Sequence, residues 1–261
     1  QCFHSYYDSR SRTIFLGYSS ITLALNEKGC LQHEYKSDGG HRLKGIVVDS
    51  RGCLIRYCHT FLVYFYNNRQ IEQDVTRACG KLAIDDNDNV YVPCHIYVTV
   101  YDPNGIEIRK FVHSDDLVRG NHVCGVVVQN FRLYISYRGT MRVFTCDGAF
   151  LYRFSTDFRL YNFVLGGMSM THRGELLLFD HANHILQVFD AETGSFMEQI
   201  RNDDLKFTNL LLILPIQGDY FSLFTFHIFK CEVMKISDIW IQGKPKWICH
   251  PLCLRDDAFC D

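Results

Sequence analysis

Residues 45–73 read GIVVDSRGCLIRYCHTFLVYFYNNRQIEQ. The order is an apolar run, an Asp-x-x-Gly turn, a second run, a short polar break, a third run, a second turn and a fourth run. Asp offers a side chain that caps a turn, and Gly tolerates positive φ. Runs this short and apolar predict strands buried on one or both faces. The same order recurs at 167–200, GMSMTHRGELLLFDHANHILQVFDAETGSFMEQI. It recurs less cleanly at 81–108 and 125–154, opens the chain at 6–35, and ends it in a degraded unit at 214–242. First-turn positions fall near Ser11, Gly52, Asn89, Phe131, Gly174 and Gly218, spaced 37 to 44 residues apart. Second-turn glycines follow at Gly29, Gly105, Gly148 and Gly194.

A four-stranded unit of this length cannot bury both of its faces alone. Radial stacking covers them and leaves only short, protected edges. The prediction is therefore all-β: a six-bladed β-propeller of four-stranded antiparallel blades, filling residues 1–261 as one domain. A sandwich, the competing all-β fold, requires no six self-similar units. Residues 1–5 or the segment after Gly243 would close the ring, and the sequence leaves both open.

Composition agrees. Twenty Phe and 15 Tyr suit pleated, half-buried surfaces, and five prolines with no Gly/Ser-rich linker mark no domain boundary. A formal charge of −2 excludes a uniformly basic, generic polyanion binder, so any nucleic-acid footprint must be local to one face. Of twelve cysteines, many lie in predicted strands, such as Cys53, Cys94, Cys124 and Cys231, where Cys acts as a small apolar residue. With no Asn-x-Ser/Thr acceptor, no signal peptide and no apolar run of membrane length, the expectation is a reduced, cytoplasmic protein. A first residue other than Met suggests a fragment of something longer.

The repeats resemble NHL repeats. Residues 176–194 carry the likeness best, with Asp180, Asn183, Ile185, Gln187, Val188, Phe189, Asp190 and Gly194 in register. Residues 45–66 match its first half well, through Gly45, Ile46, Val47, Val48, Asp49 and Gly52. The Arg usual before the third strand is replaced in most units, with Leu62, Ile96 and His184 near its place. The resemblance is to the C-terminal NHL domain of TRIM-NHL proteins. It implies an intracellular, non-enzymatic regulator that recognises single-stranded RNA in messenger-RNA repression. The alternative is a protein-interaction module that recruits partners to a repression complex or substrates to a TRIM-type ubiquitin ligase.

Propeller topology places the between-blade loops and the loops joining second and third strands on one face. The tight turns lie on the other. The first face has a mildly positive balance in which Lys81, Arg56, Arg138 and Arg142 are counted, while the tight-turn face is net acidic. Cations tracking phosphates and flat rings stacking on bases hold single strands. The candidate RNA-binding residues are Tyr35, Lys36, Arg42, His59, Arg77, His95, Arg119, His122, Arg138, Tyr161, Asn162, His181, His184, Phe207, Asn209 and His227. No catalytic residue, metal, cofactor, membrane or small-molecule substrate is expected. His59, His95, His181 and His227 share one repeat position, but their spacing is only what the repeat imposes. Cys249-His250-Pro251-Leu252-Cys253 lacks zinc-motif spacing. Asp85-Asp86-Asn87-Asp88-Asn89 lacks the Gly and terminal Glu of a calcium loop and reads as a tight turn.

Overall fold

The computed structural model describes residues 3–18, 20–26, 30–36, 43–58, 61–66, 69–75, 81–112, 123–137, 140–155, 168–171, 173–180, 185–201, 210–216, 220–225 and 231–235, the last three stretches by backbone alone. These residues form strands and turns. Blade 1 holds β1 (Phe3–Asp8), β2 (Thr13–Tyr18), β3 (Ile21–Asn26) and β4 (Leu31–Lys36). Blade 2 holds β5 (Leu43–Val48), β6 (Leu54–Cys58), β7 (Phe61–Tyr66) and β8 (Arg69–Asp74). Blade 3 holds β9 (Ala83–Ile84), β10 (Val90–Pro93), β11 (Val98–Tyr101) and β12 (Glu107–Phe111). Blade 4 holds β13 (Val123–Gln129), β14 (Arg132–Tyr137), β15 (Thr140–Thr145) and β16 (Phe150–Ser155). Blade 5 holds β17 (Met168–Met170), β18 (Glu175–Asp180), β19 (Ile185–Asp190) and β20 (Phe196–Arg201).

Each blade is an antiparallel sheet of consecutive strands. A further sheet holds β21 (Leu210–Ile216), β22 (Tyr220–Thr225) and β23 (Cys231–Lys235). Where six four-stranded blades are expected, the described residues hold five, plus this three-stranded sheet. Its unit departs from the repeat, because Gln217-Gly218-Asp219 reverses the order of Asp and Gly between its first two strands. The rest of that unit, ending at Gln242, lies outside the described residues. First strands stand side by side from β1 through β5, β9, β13 and β17 to β21, and β21 lies against β1.

The apolar core lies between blades. Blades 1 and 2 share Phe15, Ala24, Leu43, Ile46, Val48, Leu54 and Val63. Blades 2 and 3 share Val47, Ile55, Tyr57, Leu62, Leu82, Val90 and Val92, with the thiols of Cys53 and Cys94 buried among them. Tyr91, Phe111, Leu133, Ile135 and Phe144 join blades 3 and 4, and Tyr134, Met141, Met170, Leu176 and Phe189 join blades 4 and 5. This layering explains why β6, β10 and β11 are buried on both faces and show no apolar–polar alternation. Outer strands are the reverse: β4 reads LQHEYK and β12 EIRKF, mostly exposed. Charges there keep an open edge from pairing with another chain. Blades approach closely at Gly17, where a Cβ would fall on the side chains of Leu43 and Ile46, at Gly194, where it would lie 2.6 Å from Phe154 Cδ1, and at Gly45, where it would lie 2.9 Å from Leu82 Cγ.

Two arginines counted on the between-blade face are not there. Arg56 and Arg142 are buried inside β6 and β15. Arg56 donates from Nη1 to the Ser20 carbonyl of blade 1 at 2.9 Å, and its guanidinium carbon stands 5.7 Å from the centre of the Phe65 ring. Arg142 stands 5.1 Å from the centre of the Tyr137 ring. Both occupy alternating positions that face the preceding blade, so period-2 geometry directs them inward rather than into a loop.

Candidate functional site

The tight-turn face is built by one device, repeated. In blade 2 the buried Asp49 carboxylate accepts from the backbone N–H of Arg51 at 3.0 Å and of Cys53 at 2.7 Å, and Gly52 takes φ 79°. Arg51 grips the same carboxylate from Nε and Nη2 at 2.9 and 2.7 Å. Asp85 caps blade 3 through Asn87 and Asn89 N–H groups, and Thr171 substitutes its hydroxyl in blade 5 for Arg173 and Glu175. Second turns use Asn26, Asp102, Thr145 and Asp190 in the same way. Burial would raise the Asp8 carboxyl, but hydrogen bonds from Ser11 and Arg10 outweigh it and hold it below the ordinary range. The Asp85–Asn89 stretch is thus the tight turn that the sequence predicts.

These turns also reach across to the next blade, a feature that sequence reading missed. Arg10 donates to the carbonyls of Val48 and Asp49 at 3.3 and 2.7 Å. Ser50 donates from backbone N and Oγ to Asp88 at 2.6 and 2.5 Å. Arg109 donates to the Cys146 carbonyl, Gln129 to Thr171 O at 3.2 Å, and Tyr134 to Ala191 O at 2.9 Å. Polar side chains at turn positions were the available signal, but which neighbour each one reaches depends on the wedge angle between blades.

On the between-blade face, three of the predicted RNA-binding residues are described. Tyr35 is half-buried rather than displayed: its ring packs 4.4 Å from His33, 5.7 Å from Phe65 and 6.4 Å from Phe15, centre to centre. Desolvation, with a smaller contribution from nearby Cys53, raises its hydroxyl pKa. The ring packs between two blades and is only partly open to solvent. Lys36 is exposed and lies 3.5 Å from Glu34. His95 is exposed in the β10–β11 loop, where its carbonyl accepts from Val123 N–H at 2.9 Å and ties blade 3 to blade 4. Arg42, His59, Arg77, Arg119, His122, Arg138, Tyr161, Asn162, His181, His184, Phe207, Asn209 and His227 lie outside the described residues. Lys81, at the entrance to β9, is half-buried, and desolvation lowers its amine to about 8. Among the described residues no group of three His, Cys, Asp or Glu side chains is placed to hold a metal, and no helix is long and apolar enough to cross a membrane.

Known structures agree with this architecture. Virginiamycin B lyase from Staphylococcus aureus superimposes with a TM-score of 0.71 at 9% identity, covering 90% of this chain and 81% of its own. The β-propeller domain of Cps50 (Swd1) from Myceliophteria thermophila gives 0.70 at 8% identity over 95% and 85%, respectively. The chain is a β-propeller. The WD40 propeller domain of Doa1 is also similar, at 0.65 and 11% identity over 85% of this chain and 74% of that one. Identities this low establish the fold alone, and the group spans an enzyme as well as WD40 propellers. No family model matches the chain, and no curated protein matches its sequence. The NHL resemblance therefore rests on the quoted motifs alone.

Proposed function

We propose that this propeller is a non-enzymatic protein-interaction platform, a six-bladed relative of the NHL type that recruits partners to a larger regulatory or ubiquitin-ligase assembly. The observation that carries this reading is the inward placement of Arg56 and Arg142. It removes two cations from the face that an RNA phosphate chain would need. Lys81 is half-buried, so its ammonium is less open to a phosphate chain than a surface lysine. Meanwhile exposed apolar side chains, including Ile71, Ile106, Ile108, Phe131 and Phe196, stand on the rim and turns of the described blades. Such residues on a rigid scaffold suit protein recognition.

Single-stranded RNA recognition is the second reading, supported by exposed Lys36 and His95 on the between-blade face. Titrating the chain with a randomised single-stranded RNA pool over a salt series separates the two. The platform reading expects no saturable binding at low salt. Saturable binding with a steep salt slope, weakened by Lys36→Glu and His95→Ala, would replace it with the RNA reading.

A further inference from the structure

Every described first turn contains a left-handed residue. These are Arg12 at φ 53°, Gly52 at 79°, Asp88 at 63°, Phe131 at 58° beside Asn130 at 51°, and Gly174 at 80°. Glycine is the natural choice, and Asp or Asn is tolerated because a short polar side chain bonds locally. Phe has neither excuse. In blade 4 the pairing of Gln129 with Arg132 leaves a two-residue connection with positive φ at both positions. That hairpin turn favours Asn-Gly, so Phe131 stands where Gly belongs. A Cβ at Gly52 or Gly174 would meet nothing within 4 Å, so this turn position opens onto solvent. The Phe131 side chain is 68% exposed. The ring therefore costs backbone strain and gains little burial, and folding alone gives weak reason for it.

Its surroundings are fixed and charged. The Phe131 carbonyl accepts from Cys146 N–H at 2.9 Å, next to the fully exposed Asp147. Adjacent Arg132 donates to the Glu192 carbonyl at 3.4 Å and lies 3.6 Å from its exposed carboxylate. On the other side, the Tyr91 hydroxyl interacts with the Cys146 thiol and donates to Asp85 at 3.1 Å, which brings in the acidic turn of blade 3. Asp147 and Glu192 stay exposed although Arg109 and Arg132 lie 3.8 and 3.6 Å away, because each arginine is also bonded to a backbone carbonyl; Asp85, Asp86 and Asp88 add three carboxylates in the turn of blade 3, where Asp88 is bonded to Ser50.

We infer that Phe131 is the apolar anchor of a docking site on the tight-turn face for a basic peptide segment of a protein partner. An apolar side chain of that segment packs on the ring, while its lysines or arginines reach Asp147 and Glu192. The inference rests on the interaction-platform reading and names one of its sites. An exposed aromatic held on a rigid turn is pre-organised for this role, and aromatic anchors commonly dominate such interfaces.

The test uses the full chain and two leucine-centred synthetic peptides of equal length, one flanked by lysines and one by glutamates, followed by fluorescence anisotropy. The lysine peptide should bind, more weakly as salt rises, and the glutamate peptide should not. Phe131→Gly should weaken the lysine peptide about tenfold or more. Its melting temperature should hold or rise, because Gly relieves the left-handed strain. Asp147→Asn with Glu192→Gln should weaken binding and flatten the salt dependence. Equal binding by wild type and Phe131→Gly would overturn the site while leaving the platform reading intact. Failure of the wild type to bind the lysine peptide, or equal binding of both peptides, would also overturn the site. The platform reading itself falls on the RNA titration described above.

Discussion

Asp49→Ala tests whether the capped turn is the unit that holds a blade together. The substitution removes the acceptor for two N–H groups and the partner of Arg51. The Cys53 N–H is buried, and leaving it unpaired costs about 1–3 kcal/mol. The Arg51 N–H is only partly buried and regains water. The ion pair joins a buried carboxylate to a half-exposed guanidinium, so screening limits its share to about 0–1 kcal/mol. The total expected loss is about 1–4 kcal/mol. Asp49→Asn keeps an oxygen for both N–H groups and should cost only about 1 kcal/mol. Asp49→Thr copies the arrangement that Thr171 uses in blade 5 and should fall between them. Urea unfolding followed by circular dichroism measures all three, provided the m-value stays constant. If Ala and Asn variants lose the same amount, the carboxylate acts through charge rather than capping and the reasoning is refuted. The same follows if Ala loses less than Asn.

Three further expectations concern the blade junctions. Gly17→Ala should destabilise by about 1–3 kcal/mol, because its Cβ would overlap Leu43 and Ile46, and unfolding should show this while Gly52→Ala reports only its φ penalty. A double-mutant cycle on Ser50→Ala and Asp88→Ala should give a coupling of about 1 kcal/mol, and simple additivity would count against the bridge between blades 2 and 3. Lys81→Met should stabilise at neutral pH by about 1–2 kcal/mol after allowance for partial exposure. The Lys81 pKa falls from 10.5 to about 8 on folding, so the folded state disfavours the charged form. That penalty is full below pH 8 and vanishes as pH rises towards 10.5, so the two proteins should converge across this window in paired melts.

The repeat was legible because turn chemistry is local. Ser11, Gly52, Asn89, Phe131 and Gly174 all fall in first turns, and Gly105, Gly148 and Gly194 all have the positive φ expected of second-turn glycines. The capping role of Asp49 could be named from Asp-x-x-Gly alone. What escaped sequence reading depended on the neighbouring blade. Arg56 looked like a loop cation because loops flank it, yet its position in β6 aims it at blade 1, where the Ser20 carbonyl receives it beside Phe65 of its own blade. Tyr35 resembled a stacking platform, but the rings that clasp it come from three different strands. Phe131 was recognised as a turn position; that it stands exposed in a left-handed backbone is a fact of three dimensions.

Among the described residues, every sheet is made of strands that follow one another in the chain. A ribosome delivering this protein can therefore complete each blade's hydrogen bonding before the next blade emerges. Local pairings of this kind form early and at little entropic cost. What the newest blade lacks is a cover for its apolar face, which arrives only with the following blade. The nascent chain thus shows a sticky surface at its growing end, besides the face of blade 1 that waits for β21, and a pause in synthesis at a blade boundary prolongs that exposure more than a pause within a blade.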